Sequence, residues 1–310
     1  MKILVTGAAG YIGSTLVPML LDAGHEVTCI DNFMYQQAPL LDQCHRKGFE
    51  IIRGDSRDTQ LLKSLVPKHD VLIPLACLTG APLCTADPLG ATTINRDAVI
   101  RMLELKSPKQ MMIYPCTNSG YGVGQAGIEC DETSPLNPIT LYGKTKVEAE
   151  KALLDSGHCV TFRFATVFGM SPRMRLDLLV NDFVYRAIND RAVVLFEAHF
   201  KRNYLHVRDA AASFLHAMKN YDKMKGQPYN VGLSEANLSK EELCQAIQKE
   251  VKGFEYVIAP VGEDPDKRNY IISNAKIEAT GFKTQVGLTE GIRELKKGFQ
   301  IVRRQQYGNV

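Results

Sequence analysis

The sequence predicts an α/β protein, a doubly wound parallel sheet with a smaller C-terminal α/β lobe. Three observations lead there. Short apolar runs alternate with amphipathic stretches as far as residue 165, the pattern of strand–helix–strand units laid side by side. A glycine-rich turn, Gly7-Ala8-Ala9-Gly10-Tyr11-Ile12-Gly13, joins the first strand to the first helix. Beyond Gly169 the alternation breaks into loops, short strands and basic residues. The 310 residues therefore divide into 1–169 and 170–310.

Ile3–Val5 is the first strand. Leu16, Met19, Leu20 and Ala23 give the following helix one apolar face, and Gly24 stops it. Glu26–Ile30 is the second strand, closed by Asp31. This unit of about thirty residues has the length of a Rossmann-type dinucleotide fold. Gly7 allows the tight turn, Gly10 lets the backbone approach a pyrophosphate, and Gly13 lets helix and strand pack closely. The helix N-terminus, at Tyr11 and Ile12, offers amides to the phosphates. Asp31 lies 18 residues after Gly13, with Asn32 beside it. A carboxylate there binds a ribose 2′-hydroxyl and repels a 2′-phosphate, which predicts NAD rather than NADP.

Phe49–Ile52 is the third strand and runs into Gly54-Asp55-Ser56. Asp55 and Ser56 fall where a strand's carboxyl end meets the adenine edge; Asp55 can equally cap a helix over Leu61–Val66. Val71–Leu75 is the fourth strand, and the small residues from Ala76 onward leave room for the nicotinamide half. Cys77 and Cys84 read as small core hydrophobes. A helix spans 92–106, with Ile94, Ala98, Met102 and Leu105 on one face. Met111–Tyr114 is a buried strand leading to Thr117, and Val160–Ala165 is the sixth strand.

Tyr142-Gly143-Lys144-Thr145-Lys146 opens a helix about 25 residues after Thr117. Positions four apart share a helix face, so the Tyr142 phenol and the Lys146 ammonium point into one cleft. A phenol with an unperturbed pKa near ~10 is a poor base, and a neighbouring ammonium favours its phenolate. The three residues thus predict a base (Tyr142), its cation (Lys146) and a hydroxyl partner for the substrate (Thr117), suited to taking a proton from an alcohol while its carbon loses a hydride. Alone, Tyr-x-x-x-Lys means little; after the glycine turn and Asp31 it carries weight.

The second half reads as helices over 178–188, 209–219, 238–251 and 288–303, with short strands at 193–196, 204–207, 228–231 and 255–258. A polar loop, Gly262–Arg268, lies between the last strand and the last helix. Arg173, Arg175, Arg202 and Arg268 are available for a diphosphate or are a solvated surface. Net charge of +3 with no basic stripe argues against nucleic acid. No apolar run approaches the ~20 residues of a membrane span, and the N-terminus begins a strand rather than a signal. Eight cysteines without a C-x-x-C pair suit reduced thiols in a cytoplasmic protein, with no metal site.

The glycine turn, Asp31, Gly54-Asp55, Thr117, Tyr121-Gly122, Tyr142-x-x-x-Lys146, Arg163–Gly169 and Arg202–Asp209 occur in the order that resembles the extended short-chain dehydrogenase/reductases. The resemblance spans essentially the whole chain. It implies a nucleotide-sugar substrate, cofactor contacts at Gly7, Gly10, Tyr11, Ile12, Gly13, Asp31, Asn32, Asp55, Ser56, Leu75, Ala76, Tyr142 and Lys146, and substrate contacts at Thr117, Asn118, Ser119, Arg173, Arg202 and Arg268. It also implies a homodimer through a four-helix bundle. The 4,6-dehydratases of that family carry an Asp-Glu pair where Asn118 and Ser119 stand, and neither side chain here is an acid or base at neutral pH, so dehydration is not expected. The family's usual Asn is Thr166, and Cys116 reads as packing. Thr117–Gly122, Ser171–Asp182, Asn220–Gly226 and Gly262–Arg268 are similar to the GDP-heptose 4-dehydrogenases of bacterial capsule pathways, which implies oxidation at C4 of a GDP-linked heptose or hexose. A 4-epimerase would use the same first half-reaction. A non-catalytic NAD sensor would have no use for an activated phenol.

Overall fold

The computed structural model describes residues 1–125, 127–262 and 268–302. Seven strands form the main sheet. Counted along the chain its order is 7-6-5-4-1-2-3, from Gln227–Val231 through Val160–Phe164, Met111–Thr117, Val71–Pro74, Lys2–Thr6 and Glu26–Asp31 to Phe49–Arg53. The last five of these pair in parallel, with Ile3 opposite both Val27 and Val71. Ile3, Leu4, Val5, Val71, Leu72 and Ile73 are all fully buried, as a parallel sheet covered on both faces requires. The order reverses between the first and fourth strands, and in such sheets the ligand crevice opens at the carboxyl ends there.

The strand at 227–231 is a correction to the sequence reading, which set it among the short strands of the C-terminal lobe. It is the seventh strand of the main sheet. Helix Val207–Lys219 brings the chain back: Phe214 stacks edge-on against Phe162 at 5.5 Å, and the Met112 amide donates to the Tyr221 hydroxyl at 2.8 Å. Apolar periodicity cannot assign a short strand to a sheet; long-range packing does.

Helix Leu141–Asp155 begins where Thr140 caps it, its hydroxyl accepting the Gly143 amide at 3.1 Å. Lys146, Ala149, Glu150 and Leu153 form its buried face. Alternate residues of Met111–Thr117, namely Met112, Tyr114 and Cys116, line the same core as Ala149 and Leu153. The helix expected over 92–106 starts earlier, as Pro88–Thr92, a π turn at Thr93–Asp97, and Ala98–Leu105. The helix expected after Asp55 is Thr59–Leu65, and its cap is Asp58, which accepts the Gln60 and Leu61 amides. Asp55 does not cap it.

The chain forms two compact units: Met1–Gly120, Pro138–Arg163 and Ala211–Tyr229 in one, Tyr121–Asn137, Phe164–Ala210 and Asn230–Val310 in the other. They interleave along the sequence, whereas the expected division at 169 is linear. The second unit holds a three-stranded sheet (Thr166–Phe168, Lys201–His206, Asn237–Ser239) and two strand pairs, Ala192–Leu195 with Glu255–Ile258 and Glu129–Cys130 with Ile271–Ile272. Its helices include Leu179–Asn189, Lys240–Glu250 and Leu288–Gly298. Residues 263–267 of the expected polar loop, and position 303 at the expected end of the last helix, lie outside the described residues. Among the described residues no helix is long and apolar enough to cross a membrane.

Candidate active site

The glycine turn is shaped by contacts a side chain would prevent. Gly7 has φ +68°, and a Cβ there would stand 2.5 Å from the Ala76 amide nitrogen. Leu75 and Ala76, just past the end of the fourth strand, are therefore packed directly under the turn. A Cβ on Gly13 would strike the Ala8 carbonyl, so the helix starts hard against the turn itself. A Cβ on Gly10, whose amide bonds the Gly7 carbonyl at 3.0 Å, would meet only that carbonyl oxygen among the described residues beyond its chain neighbours. Asp31 ties the second strand to this turn: its carboxylate accepts the Ala9 amide at 2.9 Å and the Phe33 amide at 2.8 Å. Asn32 is exposed and bonds the Met34 amide. Tyr11 is buried, and Ile12 is the N-cap residue of helix Gly13–Asp22.

Asp55 is occupied by a neighbour. The Arg57 guanidinium reaches it at 2.6 Å and, against a burial effect, holds its carboxyl below the ordinary range. Ser56 beside it is buried. The Asp55 carboxylate is thus held by Arg57 at the end of the third strand.

Asn95, in the π turn, clamps the loop after the fourth strand. Its side chain accepts the Leu78 amide at 2.8 Å, donates to the Leu78 carbonyl at 2.9 Å, and lies 3.5 Å from the Thr145 hydroxyl on the Tyr142 helix. Sequence reasoning missed it, since a lone Asn in a helical pattern carries no signal. Leu78, Cys84 and Ala91 form a small core against which Tyr142 packs.

Lys146 is 3% exposed, and its ammonium sits 4.0 Å from the centre of the Tyr114 ring. No carboxylate among the described residues pairs with it. Tyr114 is a core residue; its hydroxyl is 3.4 Å from the Asn95 carbonyl oxygen, and burial raises its pKa well above that of a free phenol. Tyr142 stands in the first turn of its helix, where the positive end of the helix dipole favours a phenolate. The Thr117 turn lies close by: a Cβ on Gly143 would stand 3.4 Å from the Ser119 carbonyl oxygen. The Thr117 hydroxyl bonds the Ser119 hydroxyl at 3.0 Å and accepts the Ser119 amide at 3.1 Å. Asn118, 1% exposed, has no hydrogen-bond partner for either atom of its amide. Cys116 is buried in the same core, with its thiol pushed far above the usual range by burial.

The arginines assigned to substrate lie in the second unit. Arg173 and Arg202 are buried, not solvated, with Nη1 donating to the Met174 carbonyl and the Lys201 carbonyl respectively. Arg202 also lies over the Tyr270 ring at 5.7 Å, and Tyr270 meets Tyr121 edge-on. Arg175 pairs with Asp177, and Arg268 is half-buried.

A glycine turn at a sheet's switch point, an acidic residue closing the second strand and a buried Tyr–Lys helix define a dinucleotide-binding protein of Rossmann type. The chain belongs to the NAD dependent epimerase/dehydratase family, whose pattern matches residues 3–232. It is accordingly an NAD-dependent enzyme, and the open backbone at Gly10, the Asp31 carboxylate and the unpaired Lys146 ammonium fit that coenzyme. The chain is 30% identical over 320 residues to UDP-glucose 4-epimerase of Mycolicibacterium smegmatis, covering 97% of this chain and 99% of that one. It is 26% identical over 305 residues to the low-salt glycan biosynthesis protein Agl12 of Haloferax volcanii, covering 94% and 96%. Among solved structures, UDP-glucose 4-epimerase of Thermus thermophilus, in complex with NAD, superposes with a TM-score of 0.82 at 25% identity, covering 98% of this chain and 100% of that one.

Proposed function

We propose that this chain oxidises C4 of a nucleotide-diphosphate sugar, a GDP-linked heptose or hexose, to the 4-keto sugar, in the cytoplasmic synthesis of a bacterial surface polysaccharide. The observation that carries this is the buried Lys146 ammonium, four residues after Tyr142 and without an acid partner among the described residues. It supplies donors for ribose hydroxyls and positive charge for the Tyr142 phenolate. Tyr142 takes the proton of the C4 hydroxyl, and the Thr117 hydroxyl holds that oxygen in line. NAD, when bound, supplies the acceptor for the hydride. Asn118 and Ser119 hold the sugar without offering a proton, which leaves oxidation or epimerisation and not dehydration. Arg173, Arg202 and Arg268 take the diphosphate, and the helices near 92–106 and 142–155 pair across a homodimer.

The stretches Thr117–Gly122, Ser171–Asp182 and Asn220–Gly226 support the GDP-linked reading. The 30% identity to a UDP-glucose 4-epimerase favours a second one, a 4-epimerase in which the hydride returns to the other face. Incubation with GDP- and UDP-sugars, followed by NMR and by NADH absorbance, separates them. Net NADH with a 4-keto product supports the dehydrogenase; inverted C4 with no net NADH overturns it in favour of the epimerase. With the substrate so identified, Tyr142→Phe is expected to lower kcat by about 10²–10⁴-fold while NAD still binds.

A further inference from the structure

Two thiols converge beside the coenzyme turn. Cys77 Sγ lies 3.3 Å and Cys84 Sγ 3.2 Å from one acceptor, the carbonyl oxygen of Leu78. The two sulfurs are therefore no farther apart than those distances end to end. The Asn95 amide donates to the same oxygen at 2.9 Å, and its nitrogen is 3.7 Å from Cys84 Sγ. A carbonyl oxygen has two lone pairs, so three donors crowd one acceptor. The two cysteines differ in access: Cys77 is half-buried, Cys84 wholly buried.

We propose that Cys77 and Cys84 form a reversible disulfide driven by peroxide, and that this bond lowers the affinity for the coenzyme. Cys77, the reachable thiol, attacks one peroxide oxygen as its thiolate; the O–O bond breaks, and hydroxide leaves with the thiol proton as water. The product is a sulfenic acid at Cys77. Cys84 then attacks that sulfur, the S–S bond forms as the S–O bond breaks, and a second water leaves with the Cys84 proton. Two thiols lose two electrons and one hydrogen peroxide becomes two waters. The order follows from the surroundings. Cys84, wholly buried, is out of the oxidant's reach, so it resolves the sulfenic acid formed at the more accessible Cys77. Disulfide geometry needs Cβ atoms about 3.8 Å apart. Drawing Cys77 toward Cys84 moves the loop that carries Ala76, which is packed under Gly7, and Leu78, in the core where Tyr142 rests.

The test uses the purified full-length protein. After hydrogen peroxide, peptide mapping is expected to recover one cross-linked peptide joining Cys77 to Cys84, with the loss of two hydrogens. NAD affinity is expected to fall by about tenfold or more and to return on adding dithiothreitol. In Cys84→Ser, a dimedone probe is expected to label Cys77 and no cross-link to form. Either residue linked to a different cysteine, or Cys77 over-oxidised without a cross-link in the wild-type protein, overturns the pairing. A Cys77–Cys84 bond that leaves NAD affinity unchanged overturns its effect. None of these readouts needs the sugar substrate.

Discussion

Two buried cations lean on the helix Leu141–Asp155 and are held in opposite ways. Arg163 meets the Glu150 carboxylate with Nη2 at 2.9 Å and Nε at 3.0 Å, and Thr161 donates to the same group at 2.8 Å. Lys146, one turn earlier on the same buried face, has an aromatic ring beneath it and no acid among the described residues. A buried charge is tolerated when it is paired and hydrogen-bonded. The arginine satisfies that rule inside the chain, and its site is complete. The lysine's ammonium donors meet no acceptor side chain among the described residues. One cation belongs to the scaffold; the other is the one we propose for the chemistry.

The largest effect expected from this contrast is on catalysis. Lys146→Met should lower kcat by about 10²–10⁴-fold, with the denaturant midpoint unchanged or raised, because an ammonium without an acid partner adds little to stability. A parallel loss of stability would erase the distinction. Glu150→Ala should do the reverse, costing about 3–5 kcal/mol by leaving Arg163 buried and unpaired, with turnover per folded molecule retained. Urea unfolding set against active-site titration reads both quantities.

Asn118 sharpens the comparison at smaller scale. An orphaned buried amide costs about 1–3 kcal/mol, so Asn118→Leu should raise the unfolding free energy while lowering kcat/KM. Unchanged kinetics would remove Asn118 from the site. The smallest effect lies in the second unit, where Glu294 stands 2.6 Å from Arg208 and 3.6 Å from His206. Burial alone would raise its carboxyl, but the nearby His206 ring and the hydrogen-bonded Arg208 guanidinium hold it below its ordinary value. The stability it adds is present above the unfolded pKa of ~4.3 and is lost as pH falls through the lower folded value. Arg208→Met should flatten that acid limb by about 1 kcal/mol or less in pH-dependent unfolding.

Particular residues show how far the sequence could be read. The placement of Thr117 at a strand end and of Tyr142 and Lys146 on one helix was legible, because it follows from an apolar run and a four-residue spacing; their roles are the proposal. Tyr114 and Asn95 were not. In an apolar run a tyrosine looks like core, and it is core; its second role appears only with the ammonium above its ring. Cys77 and Cys84 likewise read as packing until both thiols were found against one carbonyl. The cap that Asp55 offers as its alternative role is made by Asp58, three residues on, because the helix starts at Thr59.

By itself the sequence determined the strand–helix alternation, the glycine turn with Asp31, and the Tyr–Lys face, since each depends on local period or on the absence of a Cβ. Only the tertiary structure decided that the strand at 227–231 joins the main sheet, that Tyr114 lies beneath Lys146, and that Glu150 serves Arg163 rather than its neighbour one turn away. Those outcomes depend on which strand a helix face meets, and that is a property of packing between segments far apart in the chain.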